Sequence, residues 1–263
     1  MSRDILVTIM GDDVFARNWM SLLLVRDWRT RVVSEITCEE DYRAFRETHM
    51  SKVDMLLVDL DSFSENPGII SGINEMHKEE MPVKVLCIGT RIEPRVFARV
   101  KSEVFRGYIL KDEIVSSLAW AITFAAEGKV VFTPGTLEAA YRANYAMPNN
   151  RIVIKGRTIP GLTDRQEEIA RLAIIFSIGR RDLADELKIS DQWSYGMVSE
   201  LYTKLGLEDI FSGDMDPYRF VGDDPVIRLH IDEILEELGD SKKARDLETL
   251  AFHLLTMPLI EEG

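Results

Sequence analysis

Short apolar runs alternate with helix-spaced stripes through the first half of the chain. Ile5–Met10 runs into Gly11-Asp12-Asp13, and Met55–Val58 into Asp59-Leu60-Asp61. Val83–Ile88 runs into Gly89-Thr90, and Tyr108–Leu110 into Lys111. Runs this short and this uniformly apolar suit strands buried on both faces of a parallel sheet. Between them, apolar residues recur every three or four positions. One stripe is Phe15, Trp19, Leu22 and Leu23, a second is Ile70, Ile73 and Met76, and a third is Val96, Val100, Val104 and Phe105. A fourth, Val115, Leu118, Ala119, Ile122 and Ala126, stops at Gly128 as a helix C-cap would. The alternation predicts a doubly wound parallel α/β sheet.

The pattern then changes. Arg142–Pro160 reads as a linker, with a turn at Pro148-Asn149-Asn150 and a short strand at Arg151–Ile154. Thr163 sits three residues before Gln166, a capping box that opens a helix with Ile169, Leu172, Ala173 and Phe176 on one face. Leu183, Ala184 and Leu187 mark a second short helix. Ser190 caps a third, which buries Val198, Leu201, Tyr202 and Leu205 and ends at Gly206. Three short, tightly joined helices are the layout of an all-α helix-turn-helix domain. After an Asp- and Gly-rich loop at 211–217, Asp224-Pro225 starts a helix with Ile227, Ile231, Ile234, Leu235 and Leu238 on one face. Ser241 is placed to cap another, with Leu247, Leu250, Ala251, Leu254 and Leu255. The predicted organisation is a sheet domain over 1–140, a linker over 141–160, a helix-turn-helix domain over 161–210 and an acidic helical hairpin over 211–263.

Charge sharpens these divisions. The net charge of the 263 residues is −13, of which 1–150 carries −4, 151–210 carries −1 and 211–263 carries −8. The acidity argues against indiscriminate nucleic-acid binding overall, yet the helix-turn-helix segment is nearly neutral. Two cysteines make no disulfide framework, and four scattered histidines show no metal-ligand spacing. No apolar run approaches the length of a membrane span, and the chain opens on Met1-Ser2-Arg3-Asp4 instead of a signal-peptide pattern. A cytoplasmic protein without a membrane segment is expected.

Asp12, Asp13, Asp59, Asp61, Thr90 and Lys111 all fall at predicted carboxyl ends of strands, where such sheets form their functional crevice. Carboxylates from two strand ends, Asp12, Asp13, Asp59 and Asp61, are suited to hold Mg²⁺. Asp59 is placed as a nucleophile toward a phosphoryl donor, and a hydroxyl and an ammonium would grip the phosphoryl oxygens.

These motifs carry a family resemblance. Residues 4–140 resemble the receiver domain of bacterial response regulators through Ile9-Met10-Gly11-Asp12-Asp13, Asp54-Met55-Leu56-Leu57-Val58-Asp59, Leu86-Cys87-Ile88-Gly89-Thr90 and Gly107-Tyr108-Ile109-Leu110-Lys111-Asp112. The resemblance implies that Asp59 is the phosphoacceptor, Thr90 the switch hydroxyl, Lys111 the phosphate-pairing lysine and Tyr108 the switch aromatic. It also implies Mg²⁺ as cofactor, a sensor kinase as partner and a homodimer.

Three departures stand against it. Matching Phe15-Ala16-Arg17 to the family puts Gly11 and Asp12 on its acidic pair, so one carboxylate is missing unless Asp13 substitutes. Asp61 adds a charge two residues after the acceptor. Arg91 follows Thr90 where receivers carry a small residue, and its guanidinium could pair with Asp59 or Asp61 and imitate phosphorylation. Two readings of Asp59 therefore stay open, phosphorylated or with phosphorylation lost. The loop Val58-Asp59-Leu60-Asp61 is also similar to the nucleophile loop of haloacid-dehalogenase-type phosphatases, which continue with a small residue and then Thr where this chain has Ser62-Phe63. A later acidic cluster, Gly222-Asp223-Asp224, would complete that rival reading, but Pro225 marks it as a helix start.

Residues 161–210 resemble the DNA-binding domain of LuxR-type response regulators. Leu162-Thr163-Asp164-Arg165-Gln166, Asp182-Leu183-Ala184, Leu187, Ile189-Ser190 and Val198 through Lys204-Leu205-Gly206 match without gaps. Where that family offers Thr, Lys and His on its reading helix, this chain has Trp193, Tyr195 and Met197. The candidate DNA contacts are Arg180, Arg181, Lys188, Gln192, Trp193, Tyr195, Ser199 and Lys204. The expected function is transcriptional control by a non-enzymatic, atypical response regulator. The competing reading is a protein-interaction module that no longer contacts specific DNA, and exposure of Trp193 would favour a contact role.

Overall fold

The structure is a computed structural model that describes residues 4–48, 52–62, 83–99, 104–159, 161–212, 218, 224–239 and 244–261. The expected helix through Ile70, Ile73 and Met76, the stripe member Val100, the cap Ser241 and the pair Gly222-Asp223 lie outside the described residues. The chain divides into two compact units, one built from residues 2–156 with 258–263 and the other from Arg157–Met257.

The first unit is a sheet with strands β1 (Ile5–Met10), β2 (Thr30–Ile36), β3 (Met55–Asp59), β4 (Lys84–Gly89), β5 (Phe105–Leu110), β6 (Val130–Phe132), β7 (Arg151–Lys155) and β8 (Leu259–Glu261). Their order is β2-β1-β3-β4-β5-β6-β7-β8. All neighbours pair parallel except β7 and β8, which are antiparallel, with Ile154 opposite Ile260. The strand order reverses between β1 and β3, the position where such sheets open a crevice. The register Met10↔Val58, Asp59↔Ile88 and Gly89↔Leu110 brings the polar strand ends level with one another. Strands β3 and β4 are buried on both faces, which explains their continuous apolar runs.

Helices α1 (Val14–Val25), α2 (Glu39–Thr48), α3 (Arg95–Arg99), α4 (Lys111–Ile114), α5 (Leu118–Ala126) and α6 (Pro134–Arg142) fill the connections. The core face of α1 is Met20, Leu23 and Leu24 with Arg17, and Phe15 is 81% exposed, so the expected stripe is rotated away from its first member. Val104 and Phe105 were expected to extend a helix, but Phe105 begins β5. Edge strand β2, with the burial pattern of a half-covered strand, gave no continuous apolar run. Gly107, at φ +129°, lies so close to Val131 that a Cβ would fall 1.8 Å from the Val131 carbonyl oxygen. The β5–β6 pairing therefore requires glycine there.

Two domain boundaries differ from expectation. The segment 141–160 is not simply a linker, because the short strand expected there forms as β7, with Ile152 and Val153 paired to β6, Ile154 opposite β8, and all three buried. The last residues do not belong to a helical hairpin, because Leu259–Glu261 returns to the sheet as β8.

The second unit is all-helical. Helix α7 (Asp164–Ala170) continues into a π-helical turn, Arg171–Ile175, followed by α8 (Arg180–Leu187), α9 (Asp191–Lys204), α10 (Leu207–Ser212), α11 (Pro225–Leu238) and α12 (Ala244–Thr256). The capping box forms as the sequence predicts. Gln166 N–H donates to the Thr163 hydroxyl at 3.3 Å, and Thr163 N–H to Gln166 Oε1 at 3.1 Å. Ser190 caps α9 by accepting from Trp193 N–H, and Asp224 caps α11 by accepting from Val226 and Ile227. Helix α12 packs against the π-helical turn, α10 and α11, and Leu250, Ala251, Phe252 and Leu254 are fully or nearly fully buried. The terminal helices therefore share one core with the helix-turn-helix and do not form a separate extension.

Candidate functional site

The strand ends converge on Asp59. Its side chain is 1% exposed at the end of β3, and Lys111, the first residue after β5, places Nζ 2.9 Å from Oδ1 and 2.8 Å from Oδ2. The same ammonium lies 3.0 Å from Asp61 Oδ2. Asp61 turns back toward the acceptor position, and its N–H donates to Asp59 Oδ1 at 3.2 Å. Thr90 then grips Asp61, with its N–H 3.0 and 2.8 Å from the two carboxylate oxygens and its hydroxyl 3.0 Å from Oδ1. Two carboxylates share one ammonium.

Electrostatics separates the two acids. Burial pushes the Asp59 carboxyl above its ordinary range, against the opposing pull of the Lys111 hydrogen bonds. Burial acts the same way on Asp61, but hydrogen bonds from Lys111 and from the Thr90 N–H outweigh it and hold that carboxyl low. Lys111 also loses solvation, yet its bonds to Asp59 and Asp61 keep its ammonium charged to higher pH.

The chain after β5 fixes the position of Lys111. Leu110 N–H donates to the Thr133 hydroxyl at 3.2 Å, and the Thr136 hydroxyl donates to the Tyr108 carbonyl at 2.5 Å. These two hydroxyls replace strand partners at the end of β5. Glu113 accepts from Gly135 N–H at the start of α6, tying α4 to the same place. The Tyr108 ring is fully buried, and its hydroxyl donates to the Arg91 carbonyl at 2.5 Å while accepting from Glu93 N–H at 3.0 Å. Burial pushes the Tyr108 phenol up, so it stays a donor throughout the ordinary pH range.

Two sequence expectations are corrected here. Arg91 is exposed, and among the described residues its guanidinium pairs with neither Asp59 nor Asp61, both of which Lys111 already holds. Asp12 is exposed, and Asp13 Oδ1 accepts from Phe15 and Ala16 N–H as the cap of α1, so Asp13 does not stand in for a missing acid. Gly11 occupies the place nearest the acceptor: a Cβ there would be 3.2 Å from Asp59 Cβ and 3.2 Å from Ser62 Oγ.

The magnesium expectation meets the same geometry. Among the described residues no group of three or more His, Cys, Asp or Glu side chains is placed to hold a metal ion. One Asp13 oxygen caps a helix, both Asp59 oxygens lie on Lys111, and the Asp61 carboxylate lies on Thr90 and Lys111. Asp12, Asp13, Asp59 and Asp61 as arranged do not fit Mg²⁺, which needs free carboxylate oxygens in near-octahedral order.

Sequence reasoning missed Arg17. It is buried on α1, donates through Nη1 to the Gly11 carbonyl at 2.7 Å and through Nε to Glu35 at 2.8 Å, and so braces the turn after β1. An arginine among α1's apolar residues was the available signal.

In the helical unit, α9 shows a polar and aromatic outer face. Trp193 is 53% and Tyr195 61% exposed, and Gln192 and Ser199 are exposed beside them. Gly196 lies on that face with open space where a Cβ would be. Ser194 is buried, and its hydroxyl donates to the Arg180 carbonyl at 3.0 Å, fixing α9 against the start of α8. Arg181 and Lys188 are exposed and Arg180 half-buried on the flank. Lys204 is less available, since its ammonium lies 2.9 Å from Gln166 Oε1 and 3.7 Å from Glu200.

Comparison with known proteins places these features. Over 203 residues the chain is 26% identical to the response regulator protein VraR of Staphylococcus epidermidis, covering 77% of this chain and 91% of that one. The chain is thus similar to a response regulator over most of its length. It is also 31% identical over 144 residues to the transcriptional regulatory protein YvfU of Bacillus subtilis, spanning 53% of this chain and 63% of that relative. Among solved structures it is similar to the response regulator ChrA of a heme-sensing two-component system, with 22% identity, coverage of 77% and 90%, and a TM-score of 0.42. No protein-family profile matches the chain. As in a response regulator, a doubly wound sheet precedes a helical unit, and no described helix is long and apolar enough to cross a membrane.

Proposed function

We propose that the chain is an atypical response regulator that controls transcription, with the sheet unit as receiver and α9 as the helix presented to DNA. The observation that carries this reading is the outer face of α9. Trp193 and Tyr195 are large aromatics left exposed on a helix whose opposite face, Ser194, Val198 and Leu201, is buried. Exposure of that kind suits stacking and groove contacts, with Gln192 and Ser199 able to hydrogen-bond base edges. Arg181, Lys188 and Arg180 would contact phosphates and set the position of the helix. Lys204 is the weakest of the candidate contacts because Gln166 and Glu200 already engage it.

In this reading Asp59 is the acceptor position of the receiver, Lys111 its charge partner, and Thr90 and Tyr108 the pair that couples it to the loop after β4. A sensor kinase and a second copy of the chain are the partners such a receiver would take, in a cytoplasmic setting. Regulation, not phosphate-ester hydrolysis, is the proposed activity. Asp224, one of the acids a phosphatase reading would need, caps α11 instead.

A salt-dependent mobility-shift assay on genomic fragments tests the reading. The full chain should bind with an affinity that falls as salt rises. Trp193→Ala with Tyr195→Ala should weaken binding by about tenfold or more, as loss of base stacking predicts. No shift at low salt with any fragment would favour the competing protein-interaction role for the same exposed face.

A further inference from the structure

Thr90 and Lys111 present three hydrogen-bond donors toward one point: a backbone N–H, a hydroxyl and an ammonium. All three point at the Asp61 carboxylate, at 2.8, 3.0 and 3.0 Å. Convergent donors of this kind bind an anion, and they are the groups that would take the oxygens of a phosphoryl group attached to the neighbouring Asp59. In this chain the anion in the seat belongs to the protein. Asp61 reaches it because the turn after β3 folds back, with the Asp61 N–H on Asp59 Oδ1.

Resting on the reading of the sheet unit as a receiver, we propose that Asp61 is a tethered stand-in for the phosphoryl group. Its carboxylate fills the anion seat of Thr90 and Lys111 and pins the loop after β4 without phosphotransfer. Two consequences follow from the same contacts. A group transferred to Asp59 would meet the Asp61 charge and find its donors already engaged, so Asp59 is a poor acceptor while Asp61 is present. The pull that a phosphoryl group would exert on Thr90 is already exerted by Asp61. The loop that Thr90 opens is held again one and three positions on, where Tyr108 binds the Arg91 carbonyl and the Glu93 N–H. The receiver is thereby locked by its own side chain. The Arg91 guanidinium takes no part, and the mimicry comes from an acid.

Acetyl phosphate with Mg²⁺ in the buffer, read by intact mass, tests this on the full chain. In the labelling step an Asp59 carboxylate oxygen attacks phosphorus, the bond from phosphorus to the acetyl oxygen breaks, and acetate leaves with the bonding pair. Asp61→Ala should take one phosphoryl group at a rate at least about tenfold above that of wild type, a barrier change of about 1.4 kcal/mol. The label should vanish in the Asp59→Asn, Asp61→Ala double variant. Hydrogen exchange of residues 89–93 should rise in Asp61→Ala and fall again on labelling.

Equal labelling of wild type and Asp61→Ala would overturn the proposal. So would an Asp61→Ala protein that keeps the wild-type thermal transition and remains unlabelled. If Asp61→Ala does not fold, Asp61→Asn, which keeps the volume but removes the charge, should still label faster than wild type, and labelling equal to wild type would overturn the proposal. The mass readout needs no DNA, so a failed shift assay and a failed labelling experiment point to different errors.

Discussion

Lys111 Nζ lies 2.8 Å from Asp59 Oδ2, and Asp59 is the buried member of the pair. A buried carboxylate is tolerated only with its charge partner in place, so removing the partner costs more than the pair is worth. Lys111→Met should therefore lower stability by about 3 kcal/mol. Adding Asp59→Asn should restore much of that loss, because the stranded charge disappears with it. Thermal or urea unfolding of the two single variants and the double variant gives the coupling energy. Simple additivity would show that Asp59 is not stabilised through Lys111.

Arg17 is the less obvious brace. Its guanidinium spans the Gly11 carbonyl and Glu35 from a buried position on α1. Lysine has one charged head and cannot make both bonds at once, so Arg17→Lys should cost about 2 kcal/mol. Loosening the turn after β1 should also raise hydrogen exchange at Gly11 through Asp13, which a purely global loss of stability would not confine to that turn.

The contrast between Asp59 and Arg17 marks how far the sequence reaches. Asp59, Thr90 and Lys111 each end an uninterrupted apolar run, and the parallel register brings such ends together, so their convergence was legible in one dimension. Where Asp61 and Arg91 point was not legible. Both are charged residues two positions past a strand end, and only the turn geometry sends the acid onto the Thr90 and Lys111 donors and leaves the arginine in solvent. The interior strands were visible for the same reason as Asp59. Edge strand β2 alternates exposed and buried positions, and β7, expected as a short strand, sits in a stretch whose Pro and Asn residues read as a linker, so its place in the sheet was hidden. Strand β8 is three residues long and finds its partner across the whole helical unit in sequence, a pairing that no local pattern encodes.

Gly196 occupies a mid-helix position with nothing within reach of a Cβ. On propensity alone Gly196→Ala should stabilise the helical unit by about 1 kcal/mol, a rise of about 4 °C in its thermal midpoint. A glycine kept at that cost on the outer face of α9 leaves room for a partner backbone to come close. The variant should therefore be more stable and bind DNA less tightly. Stability and affinity rising together would remove any contact role for this part of the helix.

The two cysteines should behave differently toward a thiol reagent. Cys87 is fully buried in β4, and burial pushes its thiol from an ordinary 9.0 up to about 12. Cys38 is half-buried two residues past the end of β2. At pH 8 the native protein should react at Cys38 alone, and both should react after unfolding. The raised value means that the folded state keeps the Cys87 proton where the unfolded chain releases it. Any stability from this site is present below about pH 9 and is lost progressively as pH rises toward 12. Native reactivity of Cys87 at pH 8 would show that β4 opens readily.

The last strand has a stability role that its length conceals. Ile260 lies opposite Ile154, which is fully buried, and Glu261 and Leu259 pair with Val153 and Lys155. Ending the chain after Met257 would leave β7 as an open edge with its apolar residues partly bared, a template for pairing with other chains. The truncated protein should lose on the order of 2 kcal/mol of stability, by the apolar area returned to water, and aggregate at concentrations where the full chain does not. Ile260→Lys separates the two contributions, because it keeps the backbone pairing but removes the apolar side chain. It should lower the melting temperature less than the truncation and suppress aggregation, since an edge lysine opposes strand addition. If both proteins melt like wild type, β7 closes the sheet by itself and β8 contributes only its covalent return to the unit.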